Sequence, residues 1–96
     1  MSVSVSTHVL DTARGEPAAG VPVALYSGGE LVAEGDTGAD GRLALAEGLD
    51  AGSYRLVFAP DSPFFARVEL EIRLGDGHYH VPLIVSPYGC TTYRGS

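Results

Sequence analysis

Apolar and polar residues alternate with a period of two along most of this chain, which is typical of β-strands rather than helices. In the first segment this alternation sets Val3, Val5, Thr7 and Val9 against Ser4, Ser6, His8 and Leu10. A strand with this pattern has one apolar face and one mostly polar face. We therefore predict that the valines of this strand are buried and that His8 lies on its polar side.

The same alternation predicts seven further strands, separated by short stretches rich in glycine, proline and aspartate. They lie at residues 21–25, 31–36, 42–45, 54–58, 65–74, 78–86 and about 90–94. The nearest candidate for a helix, residues 43–49, is too short and contains Gly48. Eight short strands with turn signals between them favour an all-β, antiparallel, eight-stranded β-sandwich, and 96 residues are enough for one domain spanning 1–96.

Charge and cysteine content narrow the class of protein. Six arginines stand against twelve Asp and Glu residues, with no lysine, and the net charge of −6 argues against binding to nucleic acid or anionic membranes. The single cysteine, Cys90, cannot form an internal disulfide and favours a reducing compartment; we expect it to be a small buried residue. No signal peptide and no membrane-spanning apolar run are visible. A soluble, cytoplasmic protein is expected.

The histidines are the first candidates for chemistry. His78 and His80 share one face of a predicted strand because side chains repeat every two residues. With His8 they could bind a metal, although no carboxylate or cysteine stands at ligand spacing nearby. They could equally serve as acids or bases, since the imidazole pKa is about 6.5. Taken alone, His8 is most simply a half-exposed surface residue.

Arg42 and the chain end are the second candidates. Arg42 follows an Asp-Gly turn and opens a strand, which suits an anion clamp as well as an ordinary exposed arginine. The end Tyr93-Arg94-Gly95-Ser96 combines a cation, a residue that allows close approach, and a hydroxyl. Chain ends normally fray, but this composition indicates that the terminus itself contributes to a site.

Three stretches together resemble the transthyretin-related family, and more narrowly its 5-hydroxyisourate hydrolase branch. They are residues 6–11 (Ser-Thr-His-Val-Leu-Asp), residues 40–42 (Asp-Gly-Arg), and residues 78–83 (His-Tyr-His-Val-Pro-Leu) through the Tyr-Arg-Gly-Ser end. The resemblance spans nearly the whole chain. It implies a transthyretin-like β-sandwich assembled as a homotetramer, a dimer of dimers with active sites at the dimer–dimer interface.

The resemblance also implies an activity, the hydrolysis of 5-hydroxyisourate to 2-oxo-4-hydroxy-4-carboxy-5-ureidoimidazoline in urate catabolism. No metal or other cofactor is implied. The residues that match the family's catalytic positions are His8, Arg42 and His80. Those implied to bind the substrate are His78, Tyr93, Arg94, Gly95 and Ser96.

Two departures from the family are visible. Only residues 59–64 separate Phe58 from Phe65, so the short helix usual at this place is expected to be reduced or missing, and Cys90 stands where tyrosine is usual. Two other functions remain open. One is a non-catalytic transthyretin-like carrier of small ligands, and the other is a sandwich module that serves a larger protein.

Overall fold

Ten β-strands in two sheets make up most of the structure, a computed structural model that describes residues 2–95. The strands are β1 (Val3–Asp11), β2 (Glu16–Pro17), β3 (Pro22–Ser27), β4 (Glu30–Asp36), β5 (Arg42–Leu49), β6 (Gly52–Phe58), β7 (Val68–Leu74), β8 (Gly77–His80), β9 (Leu83–Ser86) and β10 (Gly89–Thr92). No helix occurs among residues 2–95. The predicted all-β class is confirmed.

Strand β1 is the centre of the first sheet. It pairs antiparallel with β5 and β2, and parallel with β8 and β9; β10 continues the sheet as the antiparallel neighbour of β9. This sheet is mixed, whereas the sequence analysis predicted antiparallel pairing throughout. Alternation specifies which face of a strand is buried, but it does not specify which strands become neighbours.

The second sheet has the order β4-β3-β6-β7 and is antiparallel throughout. Its inner face packs on that of the first sheet, and the alternating valines of β1 are buried there as predicted, with Val9 fully inaccessible. The largest side chains in this core are Phe58, Leu25, Leu56 and Leu83. Burying each such side chain contributes about 1.5–3 kcal/mol, which fixes β1 and therefore the polar residues on its outer face.

The seventh predicted strand is interrupted at Val81 and Pro82, which separates β8 from β9. Pro82 has no N–H to donate to the ladder, so the pairing with β1 is interrupted there. The interruption does not shift the strand, because β8 and β9 keep the same register with β1. The hydroxyl of Thr7 donates to the Val81 carbonyl oxygen at 2.6 Å and bonds this interruption to β1. The extra strand β2 is a two-residue pairing with the end of β1.

The segment between β6 and β7 contains bends and no helix, in agreement with the predicted loss of the family's usual short helix. The hydroxyl of Ser62 accepts the N–H groups of Phe64 and Phe65 at 3.1 and 2.9 Å, so β7 begins later than the sequence predicted. Cys90 is exposed, and its predicted burial is therefore wrong. It lies on β10, an edge strand of the first sheet.

Residues 2–95 include no helix that is both long and apolar enough to cross a membrane.

Candidate active site

The candidate site lies on the outer face of the first sheet, with β1 at its centre. His8 stands opposite Arg42 of β5, while Ser4 and Ser6 stand opposite His78 and His80 of β8. Directly opposed residues project from the same face of a sheet. Three strands that are distant in sequence therefore bring these side chains together on one face.

The turn before β5 holds Arg42 and His8 in place. The N–H of Arg42 donates to the Asp40 carboxylate at 3.0 Å, and the ring nitrogen Nε2 of His8 bonds to the Asp40 carbonyl oxygen at 2.8 Å. Because a carbonyl oxygen only accepts, this bond requires the proton of His8 to be on Nε2. The nitrogen Nδ1 of neutral His8 is therefore left with its lone pair.

This turn depends on a glycine at position 41. Gly41 has φ +77°, and a Cβ placed there would lie 2.4 Å from the Val9 carbonyl oxygen and 3.2 Å from Cδ2 of His8. Its carbonyl oxygen accepts the N–H of Val9 at 2.8 Å, which ties the turn to β1. The turn thus lies so close to β1 that a side chain at position 41 would not fit. This close approach places Arg42 beside His8.

Serine hydroxyls connect the histidines of β8. The hydroxyl of Ser6 lies 2.8 Å from Nδ1 of His80 and 2.9 Å from Nε2 of His78. The hydroxyl of Ser4 lies 2.6 Å from Nδ1 of His78. Because Nδ1 of His80 is engaged with Ser6, the nitrogen that remains for other contacts is Nε2.

The surroundings of His80 favour its neutral form. Its side chain is half-buried, and this burial lowers the pKa of the imidazole below its ordinary value, because desolvation disfavours the charged form. The positive charge of Arg42, and then those of protonated His8 and His78, lower the pKa further. A neutral imidazole at physiological pH can accept a proton.

The chain end approaches His80 through its backbone. The N–H of Gly95 donates to the His80 carbonyl oxygen at 2.7 Å, and a Cβ on Gly95 would lie 2.8 Å from Cδ2 of the His80 ring. This contact explains a glycine next to the chain end, as the sequence suggested. Tyr93 is exposed, and Ser96 lies outside the described residues.

The side chain of Arg94 takes a different direction from the imidazoles. Its guanidinium carbon lies 4.0 Å from the centre of the Tyr79 ring, and its Nη2 donates to the His78 carbonyl oxygen at 3.4 Å. Tyr79 packs against the core, on the face of β8 opposite His78 and His80. Stacking on Tyr79 thus keeps Arg94 away from the imidazole rings.

Of the predicted site residues, His8, Arg42, His78, His80 and Gly95 come together, and Arg94 is turned aside. Ser4 and Ser6, whose hydroxyls contact the histidines of β8, were not among the predicted site residues. The alternation in β1 had set them beside His8, but nothing in the pattern indicated the parallel pairing of β1 with β8. Within residues 2–95 no three His, Cys, Asp or Glu side chains are grouped closely enough to hold a metal ion.

The fold and this site define a class of protein, a two-sheet β-sandwich with imidazoles and a guanidinium on the outer face of one sheet. The HIUase/Transthyretin family matches residues 5–95, and the chain belongs to that family.

Named relatives and solved structures agree with this membership. A 5-hydroxyisourate hydrolase of Mesorhizobium japonicum is 43% identical over 113 aligned positions, which cover 96% of this chain and 91% of the relative. The structure of Klebsiella pneumoniae 5-hydroxyisourate hydrolase superposes with a TM-score of 0.88 at 38% identity, covering 98% of this chain and 99% of the other. Sea bream transthyretin, solved in complex with thyroxine, has a TM-score of 0.84 at 26% identity, covering 95% and 93% of the two chains.

Proposed function

We propose that this protein is an enzyme that hydrolyses 5-hydroxyisourate, opening its cyclic amide to give 2-oxo-4-hydroxy-4-carboxy-5-ureidoimidazoline in urate catabolism. The observation that carries the proposal is the group formed by His8, Arg42 and His80 on one sheet face. A relative at 43% identity and a solved structure at 38% identity bear the name of this hydrolase. A carrier of small ligands has no need for this group of ionisable side chains.

His80 is proposed as the general base. Its lowered pKa keeps the imidazole neutral, and its Nε2 is left to take a proton from the attacking water while Nδ1 contacts Ser6. The water oxygen forms a bond to the ring carbonyl carbon, and the carbonyl oxygen gains negative charge. A well-placed acid or base contributes about 10²–10⁴-fold to the rate.

Arg42 is proposed to stabilise the negative charge on the carbonyl oxygen, and His8 is proposed to protonate the leaving nitrogen. The guanidinium of Arg42 stabilises the oxyanion, an electrostatic effect worth about 3–4 kcal/mol where a single such donor has been removed. His8 is proposed to enter this step in its protonated form: as the carbon–nitrogen bond breaks, the leaving nitrogen takes the proton from Nδ1 of His8. The proton that His80 took from water then replaces the one that His8 has lost. The bond from Nε2 of His8 to the Asp40 carbonyl oxygen keeps that ring turned with Nδ1 free for this transfer.

The chain end is proposed to hold the substrate by its carbonyl and amide edges. Gly95 is already bonded to the backbone of His80, and Tyr93, Arg94 and Ser96 are proposed to complete the binding surface beside His78. For this contact Arg94 must rotate away from the ring of Tyr79, on which it stacks here.

A second copy of the chain is proposed to close the site, within a homotetramer built as a dimer of dimers. In one chain His78 is exposed and His8 and His80 are only half-buried, so the sheet face is open to solvent. Electrostatic stabilisation of an oxyanion is far stronger where water is excluded. A cytoplasmic location is proposed from the single exposed cysteine, which suits a reducing compartment.

The test is to generate 5-hydroxyisourate in place with urate oxidase and to follow its ultraviolet decay with and without this protein. We expect strong acceleration, and we expect alanine at His8, Arg42 or His80 to lower kcat by about 10²-fold or more while circular dichroism stays unchanged. Ser27→Ala, at the exposed end of β3 in the second sheet, is the matched control and should keep full activity. A decay rate equal to the spontaneous one would remove the proposed function.

A further inference from the structure

The hydroxyl of Ser6 lies between two imidazoles, 2.8 Å from Nδ1 of His80 and 2.9 Å from Nε2 of His78. We propose that Ser6 and His78 are positioning residues that hold the ring of His80 with its proton on Nδ1, so that Nε2 keeps the lone pair of a base. This inference rests on the proposed function, because it concerns how the general base of that reaction is prepared.

The number of protons in these contacts assigns a donor and an acceptor to each. A serine hydroxyl has one proton, so Ser6 can donate to only one of its two imidazole partners. A base at Nε2 of neutral His80 requires the proton of that ring to be on Nδ1, from which it is donated to the Ser6 oxygen. Ser6 then donates its own proton to Nε2 of His78.

His78 completes this arrangement at the surface. Because its Nε2 accepts from Ser6, neutral His78 carries its proton on Nδ1, which lies 2.6 Å from the hydroxyl of Ser4 and donates to it. Both ring nitrogens of His78 therefore have a partner, and the proton of the Ser4 hydroxyl is left for solvent. The hydrogen bonds then run in one direction, from half-buried His80 to exposed His78.

The opposite direction uses the same atoms and removes the base. If Ser6 donates to Nδ1 of His80, the neutral ring carries its proton on Nε2 and has no lone pair there. Free neutral histidine also favours the form with the proton on Nε2, so an unconstrained ring would mostly be in the wrong state. The hydrogen bond at one ring nitrogen decides which nitrogen is protonated, and Ser6 supplies that bond here.

Burial favours the productive direction. Among the side-chain hydrogen bonds of residues 2–95, the ring of His80 takes part only through Nδ1. An N–H on its Nε2 would therefore be a donor without a protein acceptor in a half-buried place. Unpaired buried donors are rarer in proteins than acceptors with an unused lone pair. In the productive direction the unpaired donor is instead the Ser4 hydroxyl, at the end of the chain of bonds that solvent reaches.

The reaction cycle leaves this arrangement intact. The proton that comes from water enters and leaves His80 at Nε2, while the proton on Nδ1 stays bonded to Ser6, and none has to pass through the hydroxyl. His8 is held in a comparable way, because the proton on its Nε2 stays with the Asp40 carbonyl oxygen while Nδ1 exchanges protons. Each of the two imidazoles thus uses one nitrogen for orientation and the other for chemistry.

Nitrogen-15 NMR of the histidine rings tests the tautomer without substrate. At about pH 8 an ordinary imidazole, with a pKa of about 6.5, is neutral, and its protonated and unprotonated nitrogens have well-separated chemical shifts. We expect His80 of the unmodified protein to carry its proton on Nδ1. The population with the proton on Nε2 should rise severalfold in Ser6→Ala. Ser6→Thr retains the hydroxyl and suits a strand, so it should restore the original balance.

Turnover of the same variants tests whether the tautomer limits catalysis. A histidine base held in the wrong tautomer costs on the order of 10⁴-fold in kcat in a serine protease. Ser6→Ala only releases the ring, so we expect kcat to fall about tenfold or more, with a much smaller change in KM because the chemical step is affected. Ser6→Thr should recover most of the rate. Ser4→Ala should lose less than Ser6→Ala, because solvent can accept from exposed His78.

The outcomes separate this inference from the proposed function. A proton on Nε2 of His80 in the unmodified protein would overturn the inference. So would an active protein whose Ser6→Ala variant keeps its full rate, or a Ser6→Thr variant as slow as Ser6→Ala. If the unmodified protein does not accelerate decay of 5-hydroxyisourate, the proposed function fails, and the positioning role in that reaction fails with it, whatever tautomer NMR finds.

If Ser6→Ala does not fold, His78→Phe replaces it in the NMR experiment. Phenylalanine retains a flat ring but cannot accept a hydrogen bond from Ser6, whose hydroxyl is then left with Nδ1 of His80 as its acceptor in this group. The population of His80 with its proton on Nε2 should therefore rise in this variant as well. An unchanged balance would overturn the inference.

Discussion

His80 shows how the environment of one residue sets its chemistry. Burial and the neighbouring positive charges lower its pKa, so the acid limb of the kcat/KM profile should fall below the ordinary imidazole value of about 6.5. In the same pH range the unfolded chain binds more protons at this residue than the folded chain. The free energy of unfolding should therefore fall as the pH drops from about 6.5 towards the folded pKa of His80.

The two measurements are a pH–rate profile and an NMR titration of the His80 ring, with urea unfolding at several pH values as the stability check. A ring that titrates at or above the ordinary value would contradict the predicted environment of His80.

Gly95 allows a second prediction at the residue scale. A methyl group there would lie 2.8 Å from Cδ2 of His80, so Gly95→Ala must displace the imidazole or break the bond to its carbonyl oxygen. Misplacing a catalytic group by about 1 Å can cost on the order of 10²-fold, and we expect kcat to fall by about 10–100-fold with little loss of thermal stability. Gly29→Ala is the matched control, because nothing lies within 4 Å of a Cβ at that position. Equal activity of the two variants would show that His80 does not need this approach.

The sequence indicated which residues form the candidate site better than it indicated where their side chains point. The imidazoles and Arg42 stand out in the sequence because an ionisable group is costly to bury in a strand that builds a core, and Gly95 stands out because glycine allows a close approach. The direction of Arg94 depends on the ring of Tyr79, which the alternation predicts only as an inward-facing residue. The contacts of Ser6 depend on a neighbouring strand more than 70 residues away in the chain, and no local pattern encodes that.

At the scale of elements, strand β1 was predicted almost completely because one of its faces is buried. The alternation of its valines specifies the face on which Ser4, Ser6 and His8 lie, and a slip by one residue would reverse it. Its neighbours β5 and β8 were not predictable in this way. Their pairing closes long loops, and the choice between partners is made by the packing of both sheets together.

The turn that leads into β5 gives a prediction for an element. Gly41→Ala has to overcome both a positive φ and a contact of 2.4 Å with the Val9 carbonyl oxygen. Gly28 also has a positive φ (+60°), but it has open space around it, so Gly28→Ala reports the conformational strain alone. We expect a loss of about 1–2 kcal/mol for Gly28→Ala and of about 3 kcal/mol or more for Gly41→Ala.

Urea unfolding of the two variants measures this difference. Gly41→Ala should also lower kcat, because the displaced turn carries Arg42 and the carbonyl oxygen that orients His8. Equal losses of stability would mean that the turn can move away from β1 at little cost.

At the scale of the whole molecule, a strongly acidic chain carries a locally basic site. The net charge is −6, yet Arg42 and all three histidines lie on one face of the first sheet. The remaining arginines include Arg55 and Arg67, both of which pair with Glu69 on the second sheet. Local charge therefore favours an anionic transition state at this face despite the overall charge.

Openness of that face leads to a prediction about assembly. A single chain leaves His78 exposed, and β10 and β7 lie at sheet edges, where unpaired backbone groups can accept a further strand. If a second copy closes the site, specific activity should fall when the protein is diluted below the dissociation constant of the assembly. Initial rates over a dilution series, with sedimentation velocity at the same concentrations, measure the two quantities together.

If the proposed assembly closes the site, the two curves should share one midpoint, because the proposed catalysis needs a pocket from which the second copy excludes water. Rates that stay proportional to protein concentration while sedimentation shows single chains would contradict this. One chain would then have to stabilise the oxyanion on a solvent-exposed sheet face, where Arg42 is screened by water and contributes far less than it would in a closed pocket.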